Sequence, residues 1–345
     1  MRGANTTFAV AALSLTAAIG APSARDEQRP PLTAEESRAA TTCLSLIRAC
    51  QLPDGAFAQV APQERPDAPV WIAPYFANFA ALALLTNADP AHRAEDLARV
   101  GRWLDWCAKH QSADGYWNDF EGTARAYADT GKVDAWDSSA ALFLLTVARY
   151  QRSGGQTAPA VTAAVARALA CLARVTDADG LTWATPNHKV KYLMDNVEVR
   201  AGLLAAGTPE TRAQADRIGK KLLGFWQPAP GLYAYAQHAD GAFAGGLDKP
   251  YPQGLAQLFG IAFVAPQASA WSSVAHAFSP EAGPATSTGT EWWLIAASRF
   301  RSEAAKEWRA RLVKEVTSFT PQSVYIHRPA LAVLGLLEGS EWMMK

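Results

Sequence analysis

The stretch QSADGYWNDFEG, residues 111–122, recurs in variant form as CQLPDGAFAQ at 50–59, as TDADGLTWATP at 176–186 and, more weakly, as APGLYAYA at 229–236. Asp-Gly is a strong turn signal, because glycine takes the positive φ that tight turns require. One copy would specify one turn. Asp54, Asp114 and Asp179 recur about every 60 residues, a period that belongs to an architecture built of repeats.

The segments before the turns share one character. PLTAEESRAATTCLSLIRAC opens with a capping box of Thr33 and Glu36. DPAHRAEDLARVGRWLDWCAKH is expected to start on Asp89 as N-cap with Pro90 at N1, and its Leu97, Val100, Leu104 and Cys107 repeat at helical spacing. APAVTAAVARALACLARV, TPETRAQADRIGKKLLGFW, PQASAWSSVAHAF and SEAAKEWRARLVKEVTSF behave alike, the second starting at Thr208-Pro209. Each reads as an amphipathic helix with one wet face.

The segments after the turns are different in kind. APYFANFAALALLTN, DAWDSSAALFLLTVARY, VKYLMDNVEVRAGLLAAG, YPQGLAQLFGIAF, TEWWLIAASRF and HRPALAVLGLLEG become apolar all round after a polar first turn, as a fully buried helix does. Wet helices alternating with buried ones, six of each, predict an all-α fold, an (α/α)6 toroid, in one domain over residues 30–345. The polar starts of the inner helices should converge at one end of the barrel, rimmed by the aromatic turns.

Composition narrows the function classes. The chain has 345 residues, 49% of them hydrophobic and 19% charged, so a large core is available. Lys+Arg and Asp+Glu are equal at 32 each, which provides no electrostatic footprint for nucleic acid or an anionic membrane. Residues 1–24 read as a signal peptide, with an apolar run from Phe8 to Ile19 too short to span a bilayer. Export to the periplasm or beyond is the expectation, and a cytoplasmic protein with an apolar leader the alternative. Cys43 and Cys50 lie about 10 Å apart along one helix, too far for a disulfide. With Cys107 and Cys171 they read as small buried hydrophobes. No Cys/His spacing resembles a zinc site, and no metal or cofactor is expected.

The helix alternation resembles the six-hairpin glycosidases and their relatives among the polysaccharide lyases. The turn formed by Gln111, Asp114, Gly115 and Trp117 also resembles the repeat of terpenoid cyclases and prenyltransferases. Those cyclases use a D-x-D-D acid, where this chain has only Asp134 and Asp137 in DAWD. Protein prenyltransferases need an Asp, Cys and His zinc set, which is not found. The glycosidase resemblance implies a carbohydrate-active enzyme acting on an oligo- or polysaccharide.

Glycoside hydrolysis needs two carboxyls flanking the bond, one protonated and one ionised. Asp137 and Asp195, near the starts of neighbouring inner helices, are the expected pair for hydrolysis without a metal. Asp134 reads first as a helix cap, and Asp134, Glu198 and Glu291 stand in reserve. Lys191 and Asp195 are placed for an i,i+4 pair, which would explain only part of that polar start. Trp71, Trp117, Trp136, Trp183 and Trp292 offer flat faces for sugar rings, and Tyr75 and Gln253 stand at inner starts.

A lyase would instead use His188 or Tyr192 with Asn196, His327 or Arg328. Lys189, Lys191 and Arg328 would then suit an acidic sugar. A toroid that only binds a glycan is the non-enzymatic alternative, separated by whether loss of a carboxylate removes turnover while leaving binding.

Overall fold

Thr33 closes the expected capping box: its side chain accepts from the Glu36 backbone N–H, and Glu36 accepts from that of Thr33. Thr208 likewise accepts from the Thr211 N–H ahead of Pro209. The structure, a computed structural model, describes residues 31–63, 67–86, 90–278, 289–300 and 303–344. The signal-peptide segment 1–24 and Asp89 lie outside the described residues. The helix expected to begin at Asp89 is assigned from Arg93, with His92 in the cap position.

Twelve α-helices occur among the described residues. The outer ones are α1 (Ala34–Ala49), α3 (Arg93–His110), α5 (Pro159–Val175), α7 (Pro209–Leu222), α9 (Ala268–Phe278) and α11 (Glu303–Val316). The inner ones are α2 (Pro74–Leu85), α4 (Trp136–Arg152), α6 (Leu193–Ala206), α8 (Leu255–Phe259), α10 (Thr290–Ala297) and α12 (His327–Leu337). Each inner helix packs on the next, and α12 returns to α2 to close the ring. The fold is an (α/α)6 toroid.

The sequence pattern follows from this layering. Inner helices touch protein on all sides, so α4 is buried almost throughout, whereas α1 buries only the stripe that includes Ala39, Cys43 and Ile47. Cys43, Cys50, Cys107 and Cys171 are free thiols in this core. Fully burying one leucine contributes about 1.5–3 kcal/mol, and the inner ring holds many. The fourth inner helix is irregular, with wide π-type turns at Pro250–Gly254 and Gly260–Val264 on either side of α8.

The turns dock one hairpin onto the next. Gln51 Nε2 donates to Gly55 O (3.1 Å) and to Arg99 O of α3 (2.9 Å). Gln111 Nε2 repeats this toward Gly115 O (2.9 Å) and Ala164 O of α5 (3.1 Å). In the third copy the donor has moved to the next helix, and Gln214 of α7 donates to Thr176 Oγ1 at 2.9 Å. Gly55 and Gly115 have φ of 100° and 92°, and an added Cβ would lie 2.6 Å from Arg102 O or 2.2 Å from Arg167 O. Only glycine fits both the conformation and the approach.

Short strands, absent from the sequence reading, line the rim. They are β1 (Pro69–Ile72), β2 (Phe120–Thr123), β3 (Ala126–Asp129), β4 (Val190–Tyr192), β5 (Trp226–Gln227), β6 (Leu232–Tyr233), β7 (Ala236–His238) and β8 (Phe243–Ala244). All are antiparallel pairs, ordered β1-β2-β3, β4-β7-β8 and β5-β6, with Trp71 opposite Glu121 and Lys191 opposite Gln237. Strands of two to four residues are too brief to display a period of two. The rim also closes the circle: Ile326 N donates to Gln59 O at 2.6 Å, and Ala61 N to Pro321 O at 2.9 Å.

Gly115→Ala should cost about 2–4 kcal/mol, because strain and a backbone clash add. Gly154, with φ of 96° but nothing within 4 Å of an added Cβ, should cost about 1 kcal/mol as alanine. Thermal or denaturant unfolding of both variants checks the order. Equal losses would mean that the docking onto α5 adds nothing.

Candidate active site

The amino ends of all six inner helices meet at one cavity of about 650 Å³. Its wall takes Tyr75 from α2, Asp134 from just before α4, Asp195 from α6, Tyr251 from just before α8, Glu291 from α10, and His327 with Arg328 from α12. Deeper side chains are apolar: Trp292 lies 4.5 Å from Phe259 and 6.4 Å from Phe79 between ring centroids. A larger groove of about 820 Å³ lies between α1 and α11 on the outer ring, and none of its lining residues is among these helix starts.

Carboxyls dominate the wall. Asp195 carries a proton to well above the usual carboxylate range, first through burial and then through the negative charges of Asp137, Glu198 and Asp134. Burial also raises Asp134, which is crowded by protein yet open to solvent at the cavity. Asp134 is not the helix cap: Ala135 occupies that position, with no side-chain cap bond. Glu198 sits behind the wall at 1% exposure, raised chiefly by burial. Its Oε1 accepts from Tyr75 Oη at 2.9 Å, and its Oε2 has no partner.

Glu291 is managed differently. Arg328 Nε donates to its Oε1 at 2.8 Å, while Arg328 Nη2 donates to Glu315 of α11 at 2.7 Å. Burial is the larger influence on Glu291 and lifts its carboxyl; Arg328 opposes it. Gly289, at φ 77°, keeps the approach open, since a Cβ there would lie 2.7 Å from Glu291 Oε2. His327 is pushed down to about 4 by burial and then by Arg328, so its imidazole is neutral at neutral pH. It stacks on Phe76 at 4.6 Å, and its Nδ1 has no partner.

Several expected site residues serve the framework instead. Asp137 is fully buried and does not line the cavity: its Oδ1 accepts from Ser138 N (2.8 Å) and its Oδ2 from Thr182 Oγ1 (2.7 Å). Asn196 holds the same turn, accepting from Thr182 N at 2.8 Å and donating to Thr182 O at 3.1 Å. Lys191 pairs not with Asp195 but with Asp177 (2.6 Å) and Asp179 (2.7 Å), and lies 4.3 Å above the Trp183 ring. Asp137, Asn196 and Lys191 pin the third turn, a job that polar side chains near a turn share with active sites. Lys189 and His188 are exposed, with His188 Nε2 and Tyr192 Oη 3.1 Å apart and neither residue in the cavity lining.

The tryptophans divide similarly. Trp292 lines the cavity. Trp117 is core, its Nε1 donating to Cys107 O at 2.9 Å against Phe143. Trp136 stacks on Tyr116 at 4.0 Å, and Trp71 donates to Asp119 Oδ2 at 3.2 Å on the rim. Gln253 is not in the lining, although its neighbours Tyr251 and Leu255 are. Sequence reasoning missed Tyr251, Phe76, Phe79 and Phe259 in the cavity, and Glu315 behind Arg328. The inner segment YPQGLAQLFGIAF begins at Tyr251, but nothing in the outer-helix pattern pointed to Glu315.

Six hairpins with a cavity at their inner helix starts make up the (α/α)6 toroid fold. No family model matches the sequence, and no curated protein does. Among solved structures the chain is similar to a novel alpha-amylase from Clostridium perfringens, with a TM-score of 0.60 at 8% identity over 87% of this chain and 97% of that one. It is similar to a D-mannose isomerase, with a TM-score of 0.60 at 10% identity over 90% and 100% of the two chains. A cold-adapted family 8 xylanase aligns with a TM-score of 0.58 at 10% identity over 93% of each. At these identities the likeness is one of fold.

Burial raises the Asp137 carboxyl to about 7 from an ordinary 3.8. A raised folded value gives stability that is complete below the unfolded pKa and lost as pH rises through about 7. Asn at this position resembles the protonated acid and can donate to Thr182 Oγ1. Asp137→Asn should therefore be the more stable form at about pH 8, by on the order of a few kcal/mol, with the gap closing toward pH 5. Melting curves against pH measure it. A gap that widens on acidification would reverse the assignment.

Proposed function

We propose that this protein is a carbohydrate-active enzyme, specifically a glycoside hydrolase, with Asp195 as general acid and Asp134 as its ionised partner. The observation that carries the reading is the placement of these two carboxyls, from the starts of neighbouring inner helices, on the wall of one aromatic-floored cavity. The amylase and xylanase among the structural neighbours support it at the level of fold. The expected pair thus keeps Asp195 and exchanges Asp137 for Asp134.

The roles follow from surroundings. A general acid must hold its proton near neutrality, and Asp195 is the more strongly raised of the two. It gives that proton to the glycosidic oxygen as the C–O bond breaks. Asp134, open to solvent, supplies negative charge on the other side of the bond, as base toward water or as nucleophile. Tyr75, Tyr251 and Trp292 place aromatic rings in the lining beside hydroxyls and carboxyls, the mixture that sugar rings require. The His188–Tyr192 pair stands off the cavity, so β-elimination would have to draw its base from His327 or a lining tyrosine.

Incubation with a panel of neutral, amino and uronate oligosaccharides, read by new reducing ends and by the absorbance of unsaturated uronates, tests the reaction class. Unsaturated product would overturn hydrolysis. On whichever substrate is cleaved, Asp195→Asn and Asp134→Asn should each reduce turnover by roughly 10²- to 10⁴-fold. Asp137→Asn should remain within several-fold of wild type.

The pH profile of kcat/KM is expected to be bell-shaped, its acid limb set by deprotonation of Asp134 and its alkaline limb by loss of the Asp195 proton. Both limbs should lie above the ordinary carboxyl range, because both groups are raised. An alkaline limb unmoved by changes at Asp195 would remove it as the acid.

A further inference from the structure

We infer that the sugar bound in this cavity carries an ammonium group, so that the substrate is an amino sugar with a free amine rather than a uronate. The inference rests on the hydrolase reading only in that a sugar occupies the cavity.

Charge is the first ground. Asp134, Asp195 and Glu291 line the cavity, and Arg328 is the one Lys or Arg among its described lining residues. That cation is already held between two carboxylates, Glu291 and Glu315. Lys191, which would have attracted a uronate, is committed to Asp177 and Asp179. At the rim, Asp119 adds a further carboxyl, pushed up to about 6 by burial and then by the negative charge of Asp134, with exposed Lys132 opposing. Asp195 keeps its proton, so the negative charge comes from Asp134 and from the Glu291–Arg328–Glu315 group, which has one carboxylate in excess. An anionic sugar would meet it with no unpaired lysine or arginine in the described lining.

Hydrogen-bonding capacity is the second ground, and it is independent of charge. Tyr75 donates its hydroxyl hydrogen to Glu198, which leaves its oxygen with acceptor capacity only. Asp134, ionised, accepts only, whereas Asp195, which holds its proton, offers one donor beside its carbonyl oxygen. His327, neutral, has a buried Nδ1 without a partner. Arg328 Nε and Nη2 donate to protein carboxylates. Acceptors in the lining thus include the Tyr75 oxygen, Asp134 and Glu291 Oε2, while Asp195, Tyr251 and Arg328 Nη1 remain as donors. A carboxylate or sulfate on the ligand would add acceptors, whereas an ammonium supplies three donors and a compensating charge.

The test is calorimetric binding to the full chain of three oligosaccharides of equal length: a glucosamine oligomer, its N-acetylated form and a galacturonate oligomer. Reducing ends are measured in parallel. At about pH 6 the amines are charged. The glucosamine oligomer should bind at least about tenfold tighter than the N-acetylated one, and the preference should shrink at high salt. Asp134→Asn should reduce the preference by roughly tenfold while a melting curve confirms folding.

Equal or tighter binding of the neutral or uronate oligomer overturns the inference, and hydrolysis of that oligomer leaves the hydrolase reading intact. Preferential binding of the glucosamine oligomer without cleavage supports the inference and counts against hydrolysis. No binding of any of the three overturns it.

Discussion

A glycine turn pressed against the backbone of the next outer helix sets the step from the first hairpin to the second and from the second to the third. At Gly55 and Gly115 the chain takes a positive φ, and the missing Cβ lets the turn sit where a side chain would collide with Arg102 O or Arg167 O. Gln51 and Gln111 then tie turn and helix together through paired amide donations. These contacts are local and modest in energy, about 1 kcal/mol per hydrogen bond. Their effect is geometric. The hairpins that follow complete the ring, bringing α12 back beside α1 and α2, and the amino ends of all six inner helices gather at one cavity.

The cavity is a consequence of that arrangement. Inner helices are enclosed by neighbours along their length, so their bodies are apolar and their polar first turns gather around one opening. Helix amino ends favour negative charge, while burial opposes it. The protein resolves this conflict differently at each carboxyl. Glu291 receives Arg328. Asp137 receives two hydrogen bonds away from the opening. Asp195 and Glu198 receive no cation and hold their protons, and Asp134 keeps contact with solvent. Differences in titration among like groups give such a cluster its capacity for acid–base work.

The repeat, the capping box at Thr33, the Thr208-Pro209 start and the alternation of wet and apolar helices were legible in the primary structure, because each is a local pattern. So was the gathering of Tyr75, Asp195, Glu291, His327 and Arg328, since all stand at inner helix starts. Asp137 could not be told from a site residue: one helical turn places it near Asp134, and only the return of Thr182 from another repeat shows where its oxygens point. Lys191 misled for the same reason. Its i,i+4 neighbour Asp195 was visible, but Asp177 and Asp179, which lie in a preceding turn, reach it only through the fold.

The sequence by itself determined which segments are helical, which are buried and that turns of one kind join them, because backbone propensity and hydrophobic period act over a few residues. Tertiary structure alone decided which carboxyls face the cavity and which are locked behind it. It also decided which cations remain available and that Glu315 of an outer helix would hold Arg328. Those outcomes depend on rotation about each helix axis and on partners more than ten residues distant. A side chain's protonation and reach are properties of the surroundings that the closed ring creates.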